Sequence, residues 1–313
     1  MDMPSPDAPF RIGTRSSVLA MAQARETRER LMAAHGLPEA AFELIPISTA
    51  GDRIQDRALR EVGGKGLFTK EIEEAILLGR IDIAVHSTKD MPNEQPAGLV
   101  LDCFLPREDV RDGFVTLGEE GGLADLPEGA VVGTSSLRRR AQVIVRRPDL
   151  RVVEFRGNVQ TRLRKLEDGV AAATFLAMAG LRRLGHPETA RPIDPGDMLP
   201  AVAQGAIGIE RREDDARARA LLAPLHDRAT GLRLAAERAF LARLDGSCET
   251  PIAGLADLSG DRLRLRGEIL APDGTAHHAG EEEGAAGDGP EMGVALAERL
   301  LSAAGPGFFD WRG

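Results

Sequence analysis

The sequence predicts an α/β protein with a small α+β part at its C-terminal end. Three observations carry this. The first 105 residues alternate strand and helix patterns, the stretch 112–200 repeats that alternation, and from Arg228 the pattern changes to short strands joined by Pro/Asp/Gly turns. At 313 residues the chain is long for one core, so more than one domain is expected.

The elements follow in order. Residues 10–13 form a short apolar start, "TRSS" (14–17) offers hydroxyl caps, and a helix runs to Ala34 before Gly36 stops it. "FELIPIS" (42–48) reads as a strand. The polar, glycine-rich stretch 49–66 reads as a mobile lid with Gly63, Gly64 and Gly66 as hinges. Residues 67–80 have helical spacing, and "IDIAVH" (81–86) alternates as a strand. "AVVGTSS" is a strand ending in a capping turn. "LRRRAQVIVRR" is a helix closed by Pro148, "RVVEF" a strand, "RGN" a turn, "VQTRLRKLEDG" a helix closed by Gly169, and "ATFLA" a strand. "LPAVAQGAIGIE" (199–210) reads as a return segment. A helix to Leu244, antiparallel strands over 251–282 and a last helix over 291–304 complete the chain, with "GEEEGAAGDGPE" (280–291) expected as a solvated loop.

Composition limits the function. The net charge of −9 argues against nucleic acid as the main partner. No apolar run reaches membrane-span length, and the N-terminal residues lack the basic and apolar regions of a secretory signal. Two cysteines without framework spacing suit a reducing compartment, so a cytoplasmic protein is expected. Charge is nonetheless uneven: residues 133–165 hold ten Arg or Lys against Asp149 and Glu154, a net +8, which leaves −17 elsewhere. Such a segment suits a small polyanion, and a solvated basic helix face is the plain alternative.

Position favours the polyanion. Arg15, Lys65, Lys89, Arg138, Arg139, Arg156, Arg162 and Arg183 all fall near carboxyl ends of expected strands, where open α/β sheets place their ligands. Arginine grips a carboxylate with two parallel bonds, so the set suggests a ligand with many carboxylates. "GGKG" is not a nucleotide loop, because the required glycine and hydroxyl positions hold Leu59 and Gly66. The six histidines show no metal spacing, and no metal is expected. Asp90 in "HSTKDMP" is the best acid/base candidate, against the commoner use of aspartate as a turn cap. Cys103 lies in an apolar run and reads as core. Cys248, in the turn "LDGSCETP", reads as an accessible nucleophile, against a chance turn cysteine.

"RIGTRSSVLA", "VGGKGLFTKE", "DIAVHSTKDMP", "GTSSLRRRAQ", "RGNVQTRL", "LAMAGLRRLG", "LPAVAQGAIGIE" and "LDGSCETPIAG" stand in the order and spacing of one family. The chain resembles hydroxymethylbilane synthase, also called porphobilinogen deaminase, from Arg11 almost to its end. The resemblance implies two lobes like those of periplasmic binding proteins plus the small α+β domain. Domain 1 would be 1–105 and 201–222 with lid 49–66, domain 2 would be 112–200, and domain 3 would be 228–313.

The resemblance also implies the reaction: four porphobilinogen molecules condense head to tail, release ammonia at each addition and give hydroxymethylbilane. They are primed on a dipyrromethane cofactor held by a thioether, here to Cys248. It implies Asp90 as the catalytic residue, assisting loss of ammonia and stabilising the azafulvene cation. Lys89, Asp90, Thr134, Ser135, Ser136, Arg138, Arg139, Arg156, Gly157 and Arg162 would contact the cofactor. Arg15, Ser17, Gln23, Lys65, Phe68, Arg156, Arg162 and Arg183 would contact substrate. A monomer is implied. Glu61 stands where some members have Lys, and Ala171-Ala172 where a Tyr-Asp pair is often found, so no polar role is expected there. The rival reading is a non-catalytic two-lobed binding protein for a small polycarboxylate.

Overall fold

The computed structural model describes residues 3–53, 68–246 and 250–312. Lys65, Cys248, Glu61 and most of the expected lid lie outside the described residues.

In chain order the strands are β1 (Phe10–Arg15), β2 (Phe42–Ile47), β3 (Ile83–Ser87), β4 (Leu99–Phe104), β5 (Asp112–Thr116), β6 (Val131–Gly133), β7 (Arg151–Val153), β8 (Ala173–Ala177), β9 (Arg191–Pro192), β10 (Ile207–Arg212), β11 (Ile252–Ser259), β12 (Arg262–Leu270) and β13 (His277–Ala285). The main helices are α1 (Val18–His35), α2 (Lys70–Leu77), α3 (Leu137–Arg146), α4 (Val159–Glu167), α5 (Met178–Arg183), α6 (Ala216–Leu222), α7 (Arg228–Arg243) and α8 (Gly289–Ala304).

The chain forms two compact units. One comprises Met1–Glu108 and Ala206–Gly231; the other comprises Asp109–Gly205 and Leu232–Gly313. The first is built on a five-stranded sheet of order β2-β1-β3-β10-β4. The second holds a five-stranded sheet of order β7-β6-β8-β5-β9 and a three-stranded sheet β11-β12-β13. The two larger sheets have the same plan. Each has three parallel strands, then one antiparallel strand, then an edge strand antiparallel to that one. The antiparallel strand is the one next to a crossing: β5 follows the passage at Glu108–Asp109, and β10 follows the return at Gly205–Ala206. This is the mixed α/β class that the alternating pattern predicts, with a small α+β part at the C-terminal end.

Each large sheet is covered on both faces because its strands alternate apolar side chains between them. In the first unit Phe10, Ile12, Ile83 and Val85 pack with Ala24 and Leu31 of α1, while Ala84 packs with Ile72 and Ile76 of α2. In the second, Phe114, Val132 and Phe175 pack with Val143 of α3, and Val115 and Leu176 pack with Leu166 of α4. Cys103 is buried in the first unit and its thiol is pushed up to about 12, chiefly by burial, so it is inert packing. Among the described residues no helix is long and apolar enough to cross a membrane.

Helix ends obey the expected chemistry. Ser17 caps α1, its hydroxyl accepting from the Ala20 N–H, and Gly36 closes the helix at φ 64°, where its N–H donates to the Met32 carbonyl. One expectation is overturned. The acidic stretch 280–285 is not a solvated loop but the second half of β13, paired with β12. Arg264 meets Glu281 and Glu283, and Arg299 of α8 meets Glu282, so the charges lie on paired, solvated positions. Gly280 and Gly284, on either side of Glu282 along the face toward α8, leave room for Leu296 and Met292 of α8 to lie against that face.

One packing contact bears on the site directly. A Cβ on Gly133, the last residue of β6, would lie 2.4 Å from the ring of the fully buried Phe155. Gly133→Ala is expected to lower stability by about 1–3 kcal/mol through overpacking. Urea denaturation checks this, and an unchanged midpoint would show that the Phe155 segment yields freely.

Candidate active site

In both units most of the described site residues follow the carboxyl ends of the parallel strands. In the first unit β1 ends at Arg15, whose guanidinium lies 4.1 Å from the centre of the Phe68 ring. Ser17 follows as the cap of α1. Gln23 is buried, and its amide is bonded to Ser87: Nε2 donates to Ser87 Oγ at 2.9 Å and Oε1 accepts from it at 3.2 Å. These bonds tie Gln23 of α1 to Ser87 at the end of β3.

β3 runs into a single turn, Thr88–Asp90, that ends on the candidate acid. The Thr88 N–H donates to the Ala206 carbonyl at 3.0 Å, and the Met91 N–H donates to the Thr88 carbonyl at 3.1 Å. These bonds fix the turn to the returning chain. Asp90 and Lys89 are half-buried. Among the described residues no hydrogen bond occupies the Asp90 carboxylate. Beneath the turn His86 Nε2 lies 3.1 Å from Glu210 Oε2, both side chains being buried. Nearby Glu73 is pushed above the usual carboxylate range, first by burial and then by the Glu210 charge. Strand spacing alone gives no sign of this pairing, because β10 returns to β3 from far along the chain.

In the second unit the "GTSS" turn is held by its own hydroxyls. The Ser136 N–H donates to Thr134 Oγ1, Ser135 Oγ accepts from the Phe155 N–H, and Ser136 Oγ caps α3 by accepting from the Arg139 N–H. This sets the first turn of α3, and with it two arginines, against the sheet. Arg138 Nη1 donates to Asp112 Oδ2 at 2.6 Å, to Gln142 Oε1 at 2.9 Å and to the Leu199 carbonyl at 3.2 Å. Arg139 forks onto Asp112 Oδ1 through Nε and Nη2 and donates through Nη1 to the Phe175 carbonyl. Arg162 donates to the same Phe175 carbonyl at 3.1 Å and to the Gly157 carbonyl at 2.9 Å. Gly157 stands at φ 123°, and a Cβ there would press within 2.6 Å of Thr161. Arg156 is half-buried, with its carbonyl held by Lys165 Nζ. Arg183 reaches the Gly205 carbonyl at the return crossing.

Asp112 is the partner that sequence reasoning missed. Burial alone would raise its carboxyl, but the charges of Arg138 and Arg139, and bonds from Arg138 and Gln204, hold it well below the usual range. One carboxylate does not neutralise its surroundings. Arg162 is pushed down to about 10, chiefly by burial and then by the charge of Arg139. Arg138 Nε is buried and donates to nothing among the described residues. Two buried guanidiniums on one carboxylate, a third sharing the Phe175 carbonyl with Arg139, and a buried donor left over fit a ligand that brings several carboxylates, as a dipyrromethane would. The open 460 Å³ pocket lined by Thr116, Leu166, Ala171 and Ala172 lies at the opposite end of the sheet and has no cation in its wall. Among the described residues no group of His, Cys, Asp and Glu is arranged to hold a metal ion.

Comparison with known proteins bears on the same residues. Residues 10–220 match the family model "Porphobilinogen deaminase, dipyromethane cofactor binding domain", and residues 232–302 match "Porphobilinogen deaminase, C-terminal domain". A porphobilinogen deaminase of Paracoccus denitrificans (strain Pd 1222) is 66% identical over 310 residues, covering 99% of each chain. Among solved structures, the second substrate binding domain of a putative amino acid ABC transporter from Streptococcus pneumoniae has a TM-score of 0.42 at 14% identity, over 69% of this chain and 93% of that one. A TRAP periplasmic solute binding protein from Desulfovibrio salexigens has 0.41 at 12%, over 71% and 72%. With two family models spanning most of its length and a relative this close, the chain belongs to the porphobilinogen deaminase family, transferases of tetrapyrrole synthesis whose first matched domain binds a dipyrromethane cofactor.

Proposed function

We propose that this chain condenses four porphobilinogen molecules head to tail with release of ammonia, giving hydroxymethylbilane, on a dipyrromethane attached through Cys248. The observation that best supports this is the excess of buried positive charge around Asp112, within the residues that match the family's cofactor binding domain. Arg138, Arg139 and Arg162, with Arg156 and the Thr134–Ser136 turn, are assigned to the cofactor's acetate and propionate groups. Arg15, Phe68 and Arg183 are assigned to the incoming substrate, together with Lys65. The bound dipyrromethane supplies the free pyrrole carbon on which the chain grows. Asp90 carries a fixed negative charge to where positive charge develops as ammonia leaves, which lowers that barrier without reorganisation. A single anionic oxygen pair also accepts bonds from pyrrole N–H groups and so orients them.

The division into three domains, with 228–313 as the third, is part of this proposal and is supported by the separate sheet β11-β12-β13 and the separate family match. A cytoplasmic monomer that needs neither nucleic acid nor membrane is the setting we propose.

The test is the intact mass of purified protein. Wild-type protein is expected to exceed its sequence mass by one dipyrromethane, and Cys248→Ser to match its sequence mass even after incubation with porphobilinogen. A wild-type protein of bare sequence mass after that incubation would leave the simple polycarboxylate-binding reading in its place.

A further inference from the structure

The Arg138 side chain is governed from the C-terminal part of the chain. Glu268, on β12, is buried at 3% exposure, unlike the solvated acids of β13. Its Oε2 accepts from Gln142 Nε2 at 2.6 Å, and its Oε1 lies 2.7 Å from His277 Nε2 and 3.5 Å from Arg146 Nη2. Gln142 Nε2 donates also to the Leu199 carbonyl at 2.9 Å. An amide can turn either end toward a neighbour, and its hydrogen-bond partners decide which. With two acceptors fixed on the nitrogen side, Gln142 must present its oxygen to Arg138, which as a guanidinium can only donate. Nη1 of Arg138 is thereby clamped between Gln142, Asp112 and Leu199, while Nε is left as a buried donor with no partner among the described residues. Close packing keeps the register: a Cβ on Gly274, in the turn after β12, would lie 2.6 Å from Ile144 of α3.

We propose that Glu268, acting through Gln142, is a positioning residue that holds Arg138 with its buried Nε left unpaired as the donor for a cofactor carboxylate, so that seating of the C-terminal part sets the arginine edge. The proposal rests on the assignment of Arg138 to the cofactor made above. His277 and Arg146 anchor Glu268, and Arg146 Nη1 also donates to the Gln142 main-chain carbonyl at 3.1 Å, but neither touches the Gln142 side-chain oxygen, so the amide is oriented by Glu268 together with the Leu199 carbonyl.

The readout is the rate at which protein lacking the cofactor gains its mass increment during incubation with porphobilinogen, followed by intact mass, alongside the thermal midpoint. Glu268→Leu and Gln142→Leu are each expected to slow loading roughly three- to tenfold, the worth of one well-placed hydrogen bond. The double variant should be no slower than either single one, because both remove the same contact. Glu268→Gln keeps an acceptor for Gln142 and should restore loading to within about twofold of wild type. His277→Ala should load at the wild-type rate. Glu268→Leu that loads normally and is only less heat-stable would reduce Glu268 to a strut and overturn the proposal, as would Glu268→Gln as slow as Glu268→Leu. Arg138→Lys separates the two readings. If it loads normally, the assignment of Arg138 itself falls; if it is slow while Glu268→Leu is normal, only the Glu268 inference falls.

Discussion

Asp112→Ala is expected to be the most destabilising single change in the second unit, by about 3–5 kcal/mol, because it breaks a buried ion pair by removing one partner. Arg138 and Arg139 would then be buried with no counter-charge, and Gln204 would lose an acceptor. Their remaining bonds, to the carbonyls of Leu199 and Phe175 and to Gln142, satisfy donors but carry no opposite charge. Asp112→Asn should fall between, since it keeps the shape and loses the charge. The pH dependence follows from the sign of the shift. The Asp112 carboxyl is lower in the folded protein than its ordinary value of 3.8, so its stabilisation is complete above that value and is lost only as pH falls further, through the depressed one. The deficit of either variant in urea unfolding should thus stay constant from neutral pH down to 3.8 and shrink below it. A variant as stable as wild type at neutral pH would mean that the two guanidiniums escape to solvent when released, which would also remove them as fixed ligands for the cofactor.

The same residue shows where sequence reading stops. Local signals were legible because their physics is local: Ser17 and Gly36 bound α1, Ser136 and Asn158 cap α3 and α4, and Asp90 falls just past β3. The basic run stood out because ten cations within 133–165 of an acidic chain need an explanation in charge alone. Partners that meet only after folding gave no signal. Asp112 precedes Arg138 by 26 residues, Glu268 follows Gln142 by 126, and Glu210 follows His86 by 124. Nothing in their spacing distinguishes these buried acids from the acids of the surface. For the same reason "GEEEGA" looked like a loop: composition records three adjacent acids, whereas the strand is decided by cross-strand arginines on β12 and by glycines under α8. Gln23 is a further case: the resemblance gives it as a polar contact, and its bond to Ser87, 64 residues on, had no signal in the sequence.

Asp90→Asn is expected to leave the fold and the cofactor in place and to lower kcat roughly 10²–10³-fold, the usual effect of removing one preorganised charge partner from a transition state. The turn that carries residue 90 is held by backbone bonds of Thr88 and Met91, not by the carboxylate, so stability should change by no more than about 0.5 kcal/mol, as for other half-exposed positions. Asparagine keeps the size of the side chain and an oxygen for a pyrrole N–H, so ground-state binding, and with it KM, should move little. What it lacks is negative charge, and charge matters only once ammonia begins to leave; the loss should therefore fall on kcat. Steady-state kinetics on protein whose intact mass still includes the cofactor would check this. A kcat within twofold of wild type would remove Asp90 from the mechanism. A low kcat accompanied by loss of the mass increment would instead move its role to building the cofactor, a step that the same chemistry of ammonia departure and developing positive charge would require.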